Sequence, residues 1–361
     1  MENRESRALA FLFGAGASAR FNYPTVTNFF DQCKHQGFPH DECEDLWRYI
    51  RLLESRSPNE KYPKINAEAV FSLAEQILQV DAALRVDAYP STLPRRTKLP
   101  VLRSGVGAPD LYKRLTDGII TVYGKMPEEG PADSDPLAEL IKEADDLVPH
   151  GEPVWLFTTN YDTVIEDSLR RWRDEAEGAF RHLRLEIGFA LQQPHPFTPD
   201  RFEAAPGEGE RILNVVKLHG SVTWKRETTE PGSRIIDSGL RVPTGHDCVL
   251  YFGYKRFPEE EPFVTLYRLF KRALLRPLTL ITIGFQFADP YLRELLDFGL
   301  DANSELRVVC CLRSEPTERS AVEGLKSSHA GRFELLRDAQ GKLVPFADKG
   351  FCAALKARLG A

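Results

Sequence analysis

The sequence predicts an open α/β fold built on a parallel sheet, and three observations predict it. Five short runs are apolar almost throughout: Leu9–Phe13, Val154–Thr158, Leu213–Leu218, Leu278–Ile283 and Leu306–Leu312. Strands buried on both faces of a parallel sheet have this character. Stretches with helical spacing lie between them, such as Asp162–Trp172 and Pro290–Phe298, and alternation of the two kinds points to βαβ units. A glycine-rich or polar cluster begins where four of the runs stop.

The first run, Leu9–Phe13, meets Gly14-Ala15-Gly16-Ala17-Ser18. Alone, that pentapeptide serves equally as a tight turn after a buried strand or as a cradle for a phosphate. Residues from about 28 to 148 read differently. Asp45–Glu54, Ala67–Leu84 and Leu111–Tyr123 carry apolar side chains at helical spacing, whereas Asp87–Pro109 reads as a loop and Met126–Pro136 as an exposed connector. This section is expected to be a helical insertion between the first and second core strands.

The second run ends at Thr158-Thr159-Asn160-Tyr161-Asp162. Asp162 suits the N-cap of the following helix, which has Val164, Ile165, Leu169 and Trp172 on one side. The third ends at His219-Gly220-Ser221, where the histidine also suits a turn. The fourth ends at Gly284, and the segment to Asp289 leads into a helix with Pro290 at its first position and Asp289 as its cap. The fifth contains Cys310 and Cys311, expected to pack as small core hydrophobes.

Composition excludes several classes. The 361 residues are 42% hydrophobic and 28% charged, as in ordinary globular proteins. Lys and Arg number 47 against 53 Asp and Glu, a net charge of −6, so no overall basic field invites nucleic acid. The Arg95-Arg96-Thr97-Lys98 cluster reads as a solvated loop. No run approaches the ~18–20 apolar residues of a membrane span. The first residues, Met-Glu-Asn-Arg-Glu-Ser, lack the apolar centre of a signal peptide, so a cytoplasmic location is expected. None of the six cysteines forms a C-x-x-C pair, so neither a zinc ribbon nor another metal site is expected.

In an open α/β sheet, ligands bind outside the carboxyl ends of the strands. Four clusters at four such ends would converge on one crevice. Their residues, taken together, carry a resemblance. Gly14-Ala15-Gly16-Ala17-Ser18, Thr159-Asn160-Tyr161-Asp162, Lys217-Leu218-His219-Gly220-Ser221 and Gly284 through Asp289 with Leu292 resemble, in order and spacing, the motifs of the SIR2 (sirtuin) superfamily. The sequence looks closer to its SIR2-like branch of bacterial antiphage defence proteins than to the deacylases. The motifs span roughly residues 9–30 and 150–312.

The resemblance implies a Rossmann-like, sirtuin-type sheet in a single domain over 1–361, with a C-terminal extension from about 313. It also implies an NAD⁺ pocket. The N–H groups of Ala15 and Gly16, with Gly14 and Ser18, would hold the pyrophosphate, and Thr158 and Thr159 would belong to the binding wall. Asn160 would contact the nicotinamide ribose and position water at C1′. Asp162 would hold the carboxamide, and His219 would act as general base. Gly284, Phe285 and Asp289 would approach the adenosine ribose. The implied activity is NAD⁺ glycohydrolysis, with NAD⁺ as substrate and no zinc, in NAD⁺-depleting abortive infection. Such an enzyme would be toxic unregulated, so homo-oligomerisation or a separate partner, a HerA-type ATPase or an Argonaute-like protein, is expected to control it.

The sequence departs from the deacylase pattern in four places. Thr159 stands where the deacylases have Gln, Asn22 where they have Gly, and Gln286 where Ser is common. Asn tolerates positive φ better than most residues. The paired zinc cysteines are absent, and with them the module that forms the usual acyl-lysine cleft.

Overall fold

The computed structural model describes residues 8–25, 28–33, 38–53, 67, 70–77, 108–124, 136–148, 151–175, 180–191, 195–229, 232–239, 248–251, 258–285, 287, 289–316 and 320–359. Most of the loop expected over Asp87–Pro109, including Arg95–Lys98, lies outside them, as do the connector up to residue 135 and Gln286.

The apolar runs form the strands of one parallel sheet. These are β1 (Ala8–Phe13), β2 (Val154–Thr158), β3 (Leu183–Glu186), β4 (Arg211–Lys217), β8 (Leu278–Ile283), β9 (Arg307–Cys311) and β10 (Phe333–Leu335). A small antiparallel sheet holds β5 (Gly220–Thr229), β6 (Gly232–Asp237) and β7 (Cys248–Leu250). The large sheet runs β10-β9-β8-β1-β2-β4-β3, every neighbouring pair parallel. From β1 the chain fills one side through β2, β4 and β3, and later the other through β8, β9 and β10. That reversal of strand order is the topological switch point of an open α/β sheet.

The described part of 28–148 carries helices and no strand: α2 (Phe29–Gln32), α3 (His40–Leu53), α4 (70–77), α5 (Ala108–Tyr123) and α6 (Pro136–Leu147), after the single turn α1 (Ala15–Ser18). α3 begins five residues before the apolar pattern at Asp45, and α5 begins inside the expected loop. The remaining helices are α7 (Val164–Glu175), α8 (Phe263–Leu274), α9 (Pro290–Ala302), α10 (Ala321–Ser328) and α11 (Phe351–Leu359). None among the described residues is long and apolar enough to cross a membrane.

Alternation along each strand sorts the core into two layers. Leu9, Phe11 and Phe13 of β1, with Ile281 and Ile283 of β8, pack under Phe29, Leu111, Ile119, Leu140, Trp172 and Phe351. Ala10 and Leu12, with Leu278 and Leu280, pack against Leu266, Phe270, Leu292 and Leu296 of α8 and α9. The vicinal cysteines obey the same rule: Cys310 joins one layer and its neighbour Cys311 the other, and burial pushes the Cys310 thiol up to about 12. β10 extends the sheet beyond β9, so the segment after residue 313 contributes a strand of the core.

Candidate active site

The carboxyl ends of β1, β2, β4, β8 and β9 open on one cavity of about 650 Å³. Its wall includes Ala15, Gly16, Thr159, Asn160, Asp162, His219, Gly284, Phe285 and Asp289. Gly14, Ser18 and Thr158 are not on the wall; they stand behind it and fix residues that are. The strand ends are laced together. The Gly14 N–H donates to Ile283 O (2.9 Å), Thr159 N–H to Phe13 O (3.0 Å) and Leu218 N–H to Thr158 O (2.8 Å).

The three site glycines owe their identity first to one another. A Cβ on Gly14 would lie 2.6 Å from Gly284 O, and one on Gly16 2.9 Å from Gly284 Cα. Gly284 itself has φ 63°, and a Cβ there would stand 2.4 Å from Ala17 N. The turn after β1 thus packs backbone to backbone on the turn after β8. The Gly16 N–H donates to Gly284 O (3.1 Å) and is engaged within the protein. Gly284→Ala is expected to destabilise the fold by roughly 2–4 kcal/mol, through overpacking and left-handed strain. Thermal unfolding would read it against Gly324→Ala, an exposed position in α10 where a Cβ meets nothing within 4 Å. Asn22, which stands where the resemblance expects a glycine, takes φ 62°, as an asparagine can.

Asn160 is fixed by its amide. Nδ2 donates to Gly14 O (3.1 Å) and Ser18 Oγ (2.9 Å), while its own N–H donates to Thr158 Oγ1 (3.0 Å). A carbonyl can only accept, so it determines which end of the amide is NH₂. What Asn160 keeps for a ligand is therefore Oδ1, an acceptor. Ser18, expected on the pyrophosphate, instead accepts from Asn160, and its hydroxyl favours the charged form of Asp162.

Asp162 Oδ1 accepts from Val164 N (3.1 Å) and starts α7, while the buried Oδ2 has no partner in hydrogen-bonding geometry. Burial raises the pKa of Asp162, and the Lys217 charge opposes this. Lys217 is buried at the end of β4. Its Nζ donates to the Asp162 backbone carbonyl and pairs with Glu166 Oε1 (3.0 Å). It therefore holds the Asn160–Asp162 loop against the strand that carries His219.

The raised pKa has a sign. A carboxyl with a folded pKa above its unfolded value binds its proton more tightly when folded. Its favourable contribution is complete at low pH and is lost as pH rises from about 3.8 through the folded value. Asp167 and Asp237 are raised in the same direction by burial. Asp162→Asn keeps a capping oxygen and removes the titration. It is expected to stabilise the protein at pH 8, with the gain over wild type shrinking toward pH 4 in thermal unfolding scans.

His219, 1% exposed, shares one wall with Asn160 and Asp162. Its Nε2 meets Asp289 Oδ2 at 2.9 Å, and the rings of Tyr161 and Tyr251 flank it at centroid distances of 6.2 and 5.8 Å. Asp289, expected near the adenosine ribose, serves His219 and the start of α9: its Oδ1 accepts from Tyr291 N (2.8 Å) and Leu292 N (3.0 Å).

The remaining wall was not legible in the motifs. Phe29, Ala67, Phe71 and Tyr123 come from the insertion, Arg313 and Ser314 follow β9, and Pro345–Ala347 come from the C-terminal segment. Tyr123 stacks on Phe29 (5.7 Å, 14°) and meets Tyr161 edge-on (5.9 Å, 67°), so an aromatic relay of contacts joins the insertion to His219. No group of three or more His, Cys, Asp or Glu among the described residues could hold a metal ion.

A switch-point crevice lined by glycine turns, two carboxylates, an amide and a histidine defines a doubly wound α/β protein with a ligand site at its strand ends. Residues 154–329 match the family model described as SIR2-like domain. No curated protein matches the sequence. Similar solved structures include Sir2Tm bound to a propionylated peptide, with 12% identity over 99% of this chain and 94% of that one and a TM-score of 0.38. A Sir2–p53 peptide–NAD⁺ complex matches at 12% identity over 99% of this chain and 95% of that one, TM-score 0.39.

Proposed function

We propose that the chain is an NAD⁺ glycohydrolase, converting NAD⁺ and water to ADP-ribose and nicotinamide. One observation carries the proposal: Asn160, Asp162 and His219, from the ends of two adjacent strands, line a single cavity with the glycine turns that follow β1 and β8. The SIR2-like match over both motif-bearing strands supports it.

The residues suit the reaction. Breaking the C1′–nitrogen bond sends its electron pair to the nicotinamide ring, gives C1′ oxocarbenium character, and forms a new bond to a water oxygen. Asp162 Oδ2, buried without a partner, is an acceptor for the carboxamide N–H₂. Asn160 offers only Oδ1, which accepts a hydrogen from the attacking water or a ribose hydroxyl and so orients it. His219 takes the water proton. The Ala15 N–H faces the pyrophosphate, and Gly284 and Phe285 the adenosine end. The whole chain acts as one SIR2-like domain whose insertion walls the nicotinamide side, in NAD⁺ depletion controlled by self-assembly or a partner in antiphage defence.

Purified protein, alone and with candidate partners, incubated with NAD⁺ is expected to release nicotinamide and ADP-ribose in equal amounts without acyl-lysine peptide. Release only with such a peptide would establish a deacylase instead. Tight binding of intact NAD⁺ under every activation would establish a scaffold.

A further inference from the structure

We propose that Asp289 is a positioning residue for His219: it fixes the imidazole with its proton on Nε2 and makes Nδ1 the basic nitrogen. The inference rests on the glycohydrolase reading and assigns Asp289 to the histidine instead of to the substrate. Three features converge. His219 and Asp289 are both buried, and their contact, at 2.9 Å, is between Nε2 and Oδ2. A carboxylate oxygen accepts, so the ring nitrogen facing it carries a hydrogen. Asp289 is itself immobilised, because Oδ1 caps α9 through Tyr291 N and Leu292 N, and the Tyr267 hydroxyl donates to Oδ2 at 3.5 Å.

The two oxygens therefore have separate tasks. Oδ1 belongs to the helix, whose axis sets the direction of the side chain, and Oδ2 belongs to the histidine. Among the described residues, tyrosines face the pair: Tyr161 and Tyr251 beside the ring, Tyr267 and Tyr291 beside the carboxylate. Burial raises the pKa of both Tyr251 and Tyr291, so neither supplies a charge near neutrality. Among these neighbours Asp289 is the acceptor that orients the ring, and an acid–aromatic–base arrangement of this kind stabilises the imidazolium formed when the water proton arrives.

Asp289→Asn separates the tasks. The cap still needs an acceptor, so the amide oxygen takes the Oδ1 place, and Asn caps helices as well as Asp. The NH₂ then faces Nε2, which must accept, and the ring proton moves to Nδ1. The expected result is a melting temperature close to wild type, an unchanged KM for NAD⁺ and a kcat lowered by roughly 10³-fold. The ¹⁵N shifts of His219 are expected to report the Nε2–H tautomer in wild type and the Nδ1–H tautomer in the variant. A raised KM with unchanged kcat would place Asp289 on the substrate and overturn the proposal, as would wild-type kcat in the variant. The tautomer measurement does not depend on turnover. If wild type releases no nicotinamide under any activation, the glycohydrolase reading fails, and an Nδ1–H tautomer in wild type would still refute the role of Asp289 by itself.

Discussion

Replacing His219 with alanine is expected to lower nicotinamide release by roughly 10²–10⁴-fold, the range for loss of a general base. Replacing Asn160 is expected to cost roughly 10²–10³-fold, as for loss of a group that orients the attacking water and bears on the developing charge. The two variants differ in their structural consequence. Asn160 bonds to Gly14 O and Ser18 Oγ, so Asn160→Ala also loosens the turn after β1. His219→Ala leaves Asp289 as the cap of α9. Quenched time courses of nicotinamide, with melting temperatures measured in parallel, separate chemistry from stability. If His219→Ala retained more than about a tenth of the wild-type kcat, the histidine would have no acid–base role.

The second large effect is on stability. Lys217→Met is expected to destabilise the protein by about 3–5 kcal/mol, because it leaves Glu166 charged and unpaired in the interior. Lys217 is 2% exposed, and its ammonium meets Glu166 at 3.0 Å besides the Asp162 carbonyl. Lys217→Met with Glu166→Gln should recover most of that loss, since an apolar and a neutral polar side chain demand no paired charge. Urea unfolding of the single and double variants measures this. A single variant as stable as wild type would mean that water reaches Glu166 and that the pair does not hold the loop.

The core was legible because buried parallel strands must be apolar on both faces, and five of the seven strands in the large sheet were read from that alone. β3 and β10 were hidden for the converse reason. Leu183–Glu186 and Phe333–Leu335 are short edge strands with charged residues, Arg184, Glu186 and Glu334, at alternate or central positions. The small sheet had no period-two signal at its start: Gly220–Trp224 is buried throughout, polar Ser221 and Thr223 included, and the charged Lys225-Arg226-Glu227 follows.

At the site, sequence located the strand-end residues but not which atom each one has available. Motif position says nothing about internal partners, and those of the Gly16 N–H and Ser18 Oγ, Gly284 O and Asn160 Nδ2, lie more than 100 residues away in sequence. Lys217 stood in plain view two residues before His219, and a lysine ending an otherwise apolar strand is the signal that could have marked it. The insertion's share of the wall had no motif to announce it, since Phe71 and Tyr123 are ordinary apolar positions of amphipathic helices.

The most direct measurement is the structure of the Asn160→Ala variant crystallised with NAD⁺. The result expected is nicotinamide seated beside Asp162, its carboxamide nitrogen within hydrogen-bonding distance of Oδ2, with C1′ on the His219 side and the pyrophosphate at Ala15. NAD⁺ bound outside this cavity, or bound with its adenine beside Asp162, would contradict it.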